Sequence, residues 1–132
     1  MYVLDTNTLI YFFKGAGRVA DHLLRLPPSE IGIPTIVLYE LHTGIAKSSD
    51  TERRRRQLEE MIRSVRILPF DTKAALMAAT IRATLEKSGT PIGPLDNLIA
   101  GTTLSNGGIL VTHNLDEFQR IEGLTTVDWF AV

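Results

Sequence analysis

Three acidic residues lie in or beside apolar segments, where a carboxylate is costly unless something neutralises it. Asp5 directly follows the short apolar segment 2–4, Glu40 interrupts the apolar segment 36–41, and Asp96 follows a Gly-Pro turn. A carboxylate removed from water is tolerated only when it is paired, hydrogen-bonded or bound to a cation. These three acids are therefore the first candidates for a functional site.

Carboxylates that meet without a counter-charge repel one another, and this repulsion raises their pKa values. A divalent cation relieves the repulsion, and a ligand set made only of oxygen atoms favours Mg²⁺ or Mn²⁺ over zinc. A cation held in this way can polarise a phosphodiester and stabilise the leaving oxygen. If Asp5, Glu40 and Asp96 converge, the expected chemistry is metal-dependent hydrolysis of a phosphodiester.

Each acid also has a structural explanation, which the residues alone leave open. Asp5 can cap a short helix that begins near Thr8, and Glu40 can be a partly exposed helix glutamate. Asp96 falls in the first turn of a predicted helix, where a negative charge complements the helix dipole. Only the three acids taken together favour a shared site.

The apolar pattern predicts short strands that alternate with longer helices. The predicted strands cover residues 2–4, 31–33, 66–70, 109–112 and 125–127. The predicted helices cover residues 8–14, 19–26, 35–47, a segment beginning at 52, 72–87, 94–105 and a short turn at 116–120. This alternation predicts an α/β fold, a three-layer α/β/α sandwich with a short, mostly parallel central sheet. Ligands of such sheets bind beyond the carboxyl ends of the strands, where Asp5 is placed.

Composition restricts the class of protein. The 132 residues are 44% hydrophobic and 22% charged, with a formal net charge of −1 and no cysteine. These values predict one globular domain over 1–132 and exclude a strongly basic coat protein, a charge-rich disordered chain and any cysteine-ligated metal. The longest apolar run, 9–13, is too short to cross a bilayer, and an acid stands at position 5 where a signal peptide favours basic residues. We therefore expect a cytoplasmic protein with no membrane segment.

Four segments resemble PIN-domain ribonucleases and, within these, the VapC toxins of bacterial toxin–antitoxin pairs. They occur in the family's order over nearly the whole chain: 3–7 (VLDTN), 39–48 (YELHTGIAKS), 91–96 (PIGPLD), and 111–114 (VTHN) with Phe118. The resemblance implies a PIN fold and RNA hydrolysis that depends on Mg²⁺ or Mn²⁺ and leaves a 3′ hydroxyl and a 5′ phosphate.

The resemblance also implies which residues form the site. The family's metal-site acids match Asp5, Glu40 and Asp96. The family often has a fourth acid at the position of Asn114, which can offer a carbonyl oxygen but no charge. Glu117 lies three residues further on, where a short helical turn can bring it back toward the site, whereas Asp116 is the less suitable substitute. Asn114 and Glu117 are therefore added to the predicted catalytic residues.

Several neighbours of the acids have less certain roles. Thr6 and Asn7 are expected to support the site, and Thr112 can hydrogen-bond Asp5 or a water, or be an ordinary strand-end threonine. His113 can contact a phosphate or act as an acid, although a histidine beside a loop is more often simply exposed. The basic cluster 53–56 can contact RNA, but a solvated helix face is the favoured interpretation.

Two apolar segments, 9–13 and 38–45, carry more apolar side chains than one face of a sheet needs. Extra core burial would account for them. A homodimer and a groove for an antitoxin segment, both of which the resemblance implies, would account for them as well. An antitoxin arginine that reached the acids would neutralise them. The RNA is expected to be a tRNA, since the chain looks most like members that cut initiator tRNA in the anticodon loop.

Two alternative functions were weighed. A phosphoaspartate enzyme would need the pattern DxDxT, but the corresponding residues here are Asp5-Thr6-Asn7-Thr8, which lack the second acid. A PIN-like module that binds RNA or protein without cleaving it is favoured only by Asn114. The metal-dependent ribonuclease is therefore the predicted function.

Overall fold

The computed structural model describes residues 1–131, which form a five-stranded sheet flanked by helices. The strands are β1 (Tyr2–Leu4), β2 (Ile31–Pro34), β3 (Arg66–Leu68), β4 (Ile109–Val111) and β5 (Thr126–Val127). The helices are α1 (Thr6–Lys14), α2 (Val19–Leu23), α3 (Thr35–Ala46), α4 (Thr51–Ile62), α5 (Thr72–Lys87), α6 (Pro94–Ser105) and α7 (Leu115–Phe118). A 3₁₀ turn at Pro28–Glu30, which the sequence analysis did not predict, precedes β2.

The strand order is β3-β2-β1-β4-β5, and every pairing is parallel. Strands β2 and β3 lie on one side of β1, and β4 and β5 lie on the other side. Because parallel crossovers are right-handed, α1–α4 and α5–α7 cover opposite faces of the sheet. The predicted α/β architecture is confirmed. The strand order reverses between β1 and β4, and this is where a ligand crevice is expected.

The two central strands are buried on both faces. Val3 and Leu4 of β1 and Leu110 and Val111 of β4 have no exposed surface. Their continuous apolar sequence is typical of parallel strands with helices on both sides. The ends of these strands are therefore held by a packed core, which fixes the direction of the loops that follow them.

Helix α6 and the start of α5 follow the predictions closely. Helix α6 covers Pro94–Ser105, the predicted range, with proline at its first position. Asp71 caps α5 as expected, since its Oδ1 accepts a hydrogen bond of 2.9 Å from the backbone N–H of Ala74. Within residues 1–131, no helix has the length and apolarity that crossing a membrane requires.

Other boundaries differ from the predictions for local reasons. Helix α1 begins at Thr6 rather than residue 8, because Asp5 itself is the cap. Helix α2 ends at Leu23 rather than residue 26, and Leu24 is 76% exposed, so its apolar side chain adds nothing to a buried face. Strand β3 ends at Leu68 rather than residue 70, since Pro69 has no N–H for the sheet ladder. Strand β4 stops one residue before Thr112, and α7 spans 115–118 rather than 116–120.

Candidate active site

Asp5 lies at the carboxyl end of β1 and is only 6% exposed. Its Oδ1 accepts a hydrogen bond of 2.9 Å from the backbone N–H of Thr8, and its own N–H donates to the carbonyl of Val111 at 3.2 Å. Asp5 is therefore the N-cap of α1, as one of the two explanations predicted. Capping does not exclude ligand binding, because a carboxylate has about four lone-pair sites and the cap uses one of them.

The surroundings of Asp5 favour its protonated form when no cation is present. Burial is the largest cause and raises the pKa of the carboxyl above its ordinary value. The hydroxyls of Thr8 and Thr112 and the backbone N–H of Thr8 lower the pKa, and repulsion from Glu40 raises it. The effect of burial outweighs that of the hydrogen-bond donors, so the pKa of Asp5 is raised. The carboxylate therefore has too few hydrogen-bond donors to offset its removal from water.

Glu40 projects from α3 and is half-buried. The hydroxyl of Thr6, the first residue of α1, donates a hydrogen bond of 2.7 Å to Glu40 Oε1. The residue that follows Asp5 therefore ties α1 to α3 and fixes the glutamate beside the end of β1. The sequence predicted Thr6 as a support of the site, and the structure gives it this contact with Glu40.

Asp96 lies in the first turn of α6, after the Gly93-Pro94 turn. Its Oδ2 is folded back over that turn, 3.4 Å from where a Cβ on Gly93 would lie. Burial is the largest cause that raises the pKa of Asp96, to about 7, followed by a hydrogen bond and repulsion from Glu117 and by repulsion from Asp5 and Glu40. Four carboxylates from four different segments therefore act on one another.

Glu117 reaches Asp96 from α7, whereas Asp116 in the same helix is exposed. The side-chain amide of Asn114 donates a hydrogen bond of 3.1 Å to Glu117 Oε2. The backbone N–H of Asn114 donates to Thr112 Oγ1 at 3.0 Å, which forms a tight turn after β4. Asn114 therefore orients the carboxylate of Glu117, which in turn contacts Asp96.

The donor chemistry of the four carboxylates fits Mg²⁺ or Mn²⁺. All the donors are oxygens, and the groups that shift the pKa values of Asp5 and Asp96 include no lysine or arginine. Among residues 1–131, no three His, Asp or Glu side chains stand together as a ready metal-binding group. The acids instead meet in pairs, since Asp96 shares a hydrogen bond with Glu117, and Asp5 and Glu40 act on Asp96 through repulsion.

His113 makes its contacts with the C-terminal segment. Its Nδ1 lies 2.8 Å from Asp128 Oδ2, and its ring packs on that of Phe130 with centroids 4.5 Å apart. The side chain is 42% exposed. The hypothesis of an acid catalyst gains no support from these contacts, and the partner Asp128 was not predicted from the sequence.

Two of the four arginines in the basic cluster 53–56 form ion pairs with acids in or next to α4. Arg55 forms ion pairs of 2.7 Å with Glu52 and 2.8 Å with Glu59, and Arg53 lies 3.6 Å from Asp50. These contacts agree with the favoured interpretation of a solvated helix face. Arg54 takes part in none of these pairs and lines the groove between α1, α3 and α4.

A groove with a cavity volume of about 290 Å³ lies between α1, α3 and α4. Its lining is mostly apolar, with Glu40 at one wall and two basic residues nearby. The lining residues are Ile10, Phe13, Lys14, Glu40, Leu41, Gly44, Ile45, Arg54, Gln57 and Leu58. The segments 9–13 and 38–45, predicted to carry surplus apolar side chains, both contribute to it. The wall from α4 was not predicted.

Comparisons with known proteins agree with this geometry. The model of the PIN domain family matches residues 2–124. The tRNA(fMet)-specific endonuclease VapC of Salmonella typhimurium is 41% identical over 128 residues, 97% of each chain. Ribonuclease VapC1 of Haemophilus influenzae is 35% identical over 131 residues, 98% of each chain. In the solved structure of VapBC2 from Rickettsia felis bound to a promoter DNA fragment, a chain 33% identical superposes with a TM-score of 0.90, over 97% of this chain and 98% of that one.

These matches extend over almost the entire chain, and they agree with the sequence segments that resemble the family. The chain therefore belongs to the PIN-domain family and, within it, to the VapC ribonucleases.

Proposed function

We propose that this chain is a toxin that hydrolyses RNA in the cytoplasm with the help of Mg²⁺ or Mn²⁺, and that residues 1–132 form its single domain. The observation that carries the proposal is the convergence of four carboxylates at the switch point between β1 and β4. A structural acid cluster would contain basic partners, and no lysine or arginine is among the groups that shift the pKa values of Asp5 and Asp96. A module that binds RNA or protein without cleaving it does not need carboxylates that repel one another and so destabilise the fold.

The proposed roles follow from the contacts. Asp5 and Asp96 would hold the cation, and Glu40 would complete the site and orient the attacking water. Thr6 keeps Glu40 in place through its 2.7 Å hydrogen bond. When bound, the cation supplies polarisation of the phosphodiester and stabilisation of the leaving oxygen.

Glu117 is proposed to take the place of the family's fourth acid. We expect Glu117→Gln to lower kcat by roughly 10- to 100-fold, because a support of a metal site is lost. Asp116→Asn, one residue away on the exposed side of α7, is the matched control and should stay within about twofold of wild type. Steady-state cleavage of a labelled RNA measures both. A large effect of Asp116→Asn with none for Glu117→Gln would reverse the assignment.

The proposed substrate is tRNA, with initiator tRNA as the first candidate. The support is the name of a relative that is 41% identical over nearly the full length, a tRNA(fMet)-specific endonuclease. A protein with a net charge of −1 has little general attraction for nucleic acid. Binding of RNA would therefore rely on a local basic rim and on the cation at the acids.

The decisive test is cleavage of bulk tRNA by the purified chain without antitoxin, with Mg²⁺ or Mn²⁺ and with EDTA. We expect cleavage with either cation, none with EDTA, and products that carry a 5′ phosphate and a 3′ hydroxyl. Mapping the ends should place the cut in the anticodon loop of initiator tRNA. Cleavage that continues in EDTA would show a contaminating nuclease. A folded, cation-loaded protein that cuts no RNA would favour the non-cleaving binding module.

The groove between α1, α3 and α4 is proposed to receive a segment of a VapB-like antitoxin. The support is its apolar lining with Glu40 at one wall, which suits an apolar segment that carries an arginine. Solved relatives are VapBC complexes. We also propose that the toxin forms a homodimer and that its complex with the antitoxin is a hetero-oligomer.

Gly44 offers a test of this groove, because an added side chain there meets nothing within 4 Å and fills the open space. We expect Gly44→Leu to weaken antitoxin binding by at least about tenfold while leaving RNA cleavage within about twofold of wild type. Titration of the toxin with its antitoxin, read by calorimetry and by inhibition of cleavage, measures both. Unchanged inhibition of a folded Gly44→Leu protein would place the antitoxin elsewhere.

A further inference from the structure

The C-terminal segment 128–130 holds the loop that follows β4. Asp128 accepts hydrogen bonds at Oδ1 from the backbone N–H of Phe130, at 2.8 Å, and of Ala131, at 3.4 Å. Its other oxygen, Oδ2, faces His113 Nδ1 at 2.8 Å, and since a carboxylate only accepts, the imidazole donates. The Asp128 side chain therefore holds the backbone of residues 130 and 131 and connects it to the loop 112–114.

The segment is itself firmly anchored. Trp129 is 4% exposed and packs on the rings of Tyr2 and His22, with centroids 5.3 and 5.6 Å apart. The carbonyl of Phe130 accepts a hydrogen bond of 3.0 Å from the backbone N–H of Arg18. A Cβ on Gly17 would lie 2.6 Å from the Phe130 ring, so glycine is required for this close approach. The support under His113 is therefore rigid.

The loop 112–114 connects this support to the proposed site. On one side of His113, Thr112 lies beside Asp5 with no exposed surface. On the other, Asn114 donates to Glu117, the partner of Asp96. Phe118, which is 1% exposed, anchors α7 in the core, and the loop 112–114 sets where this helix begins.

We infer that His113, held by Asp128, is a positioning residue that fixes the loop 112–114 and thereby aims Asn114 and Glu117 at Asp96. This inference rests on the proposed ribonuclease function. Nδ1 of His113 acts through its hydrogen bond to the C-terminal segment, not on the RNA. Burial would raise the pKa of Asp128, but the hydrogen bond from His113 and the backbone N–H groups prevail and lower it, which keeps the acceptor ionised.

Two substitutions separate the hydrogen bond from ring packing. His113→Phe keeps an aromatic ring against Phe130 and Tyr11 but loses the donor. His113→Asn loses the ring but keeps an N–H close to the position of Nδ1. We expect His113→Phe to lower kcat about tenfold with KM within about twofold, and His113→Asn to recover most of that loss. The reverse order would assign the effect to packing and overturn the inference.

A second readout does not depend on cleavage. In the metal-free protein, NMR solvent exchange of the Asn114 backbone N–H should be about tenfold faster in His113→Phe than in wild type or His113→Asn. The matched control is Trp129→Phe, which loosens the same C-terminal segment without touching His113. An equal acceleration in this control, at the same change in melting temperature, would reduce the effect to general loosening and overturn the inference.

The two proposals fail in different ways. If wild type cleaves no RNA, the ribonuclease proposal fails, and the exchange rate at Asn114 still decides whether His113 fixes the loop. If wild type cleaves RNA but His113→Phe matches it in both kcat and exchange, only the positioning role is wrong.

Discussion

Replacing Asp96 by asparagine is expected to lower RNA cleavage by at least about 10³-fold while making the metal-free protein more stable at pH 8. Loss of a charged cation ligand removes stabilisation that matters most in the transition state. The gain in stability has the same origin, since burial and the neighbouring carboxylates that make Asp96 a good ligand raise its pKa to about 7. The neutral amide has a similar shape and avoids that cost.

The direction of the pH dependence follows from proton linkage. Between the ordinary pKa of 3.8 and about 7, the folded protein binds more protons at Asp96 than the unfolded chain does. The stabilising contribution of Asp96 to the free energy of unfolding is therefore fully present below pH 3.8. It is lost as the pH rises through about 7. Since Asp96 is only half-buried, solvent screening reduces the effect to about 1–2 kcal/mol.

Thermal or urea unfolding in EDTA at pH 5 and pH 8 measures this effect. The stability difference between Asp96→Asn and wild type should be small at pH 5 and grow toward pH 8. Addition of Mg²⁺ should stabilise wild type more than the variant, because the cation binds the folded ligand set. The exposed Asp116→Asn is the control and should show no such trend. A difference that is the same at both pH values would contradict the shared-site interpretation of Asp96.

Asp5, Glu40 and Asp96 could be predicted as site residues because each lies in or beside an apolar segment, where a carboxylate is unusual. The position of Asp5 at the end of β1 needed only the first seven residues, whereas Glu117 was reached through the family resemblance, which marked the position of Asn114, and then through the three-residue spacing along a helical turn. Their convergence was a weaker prediction, because it depends on the order of strands in the sheet. That order is fixed by packing between segments far apart in sequence, and no local pattern encodes it.

Contacts between distant segments were missed for the same reason. The pairing of His113 with Asp128 spans 15 residues and exists because β4 and β5 lie side by side. Helix α4 as a wall of the groove likewise required knowing how α3 and α4 pack. In α2, the apolar spacing to residue 26 suggested a longer helix, but Leu24 is exposed and the chain turns toward two prolines. Leu26 still packs against the core, so the apolar spacing predicted its burial but not the residue at which the helix ends.

The same dependence on distant contacts makes Gly101 a position where one added methyl group should be costly. Gly101 lies in α6 against α5, and a Cβ there would be 2.7 Å from both the Cβ and the backbone N of Ala78 and 2.9 Å from the carbonyl of Ala74. Two of these neighbours are backbone atoms, which cannot relieve the clash by rotating as the end of a flexible side chain can. We expect Gly101→Ala to lower the free energy of unfolding by about 2–3 kcal/mol, since overpacking outweighs alanine's better helix propensity.

Gly44→Ala is the matched control, because it makes the same change within a helix where an added Cβ meets nothing within 4 Å. It should stabilise the protein by about 0.5–1 kcal/mol, and the two variants should therefore shift the melting temperature in opposite directions. Equal shifts would show that α5 and α6 can separate freely. Because α6 carries Asp96 in its first turn, forcing the helices apart should also move that carboxylate. A fall in kcat for Gly101→Ala below its melting temperature would show that the closeness of two helices, and not the acids alone, sets the geometry of the site.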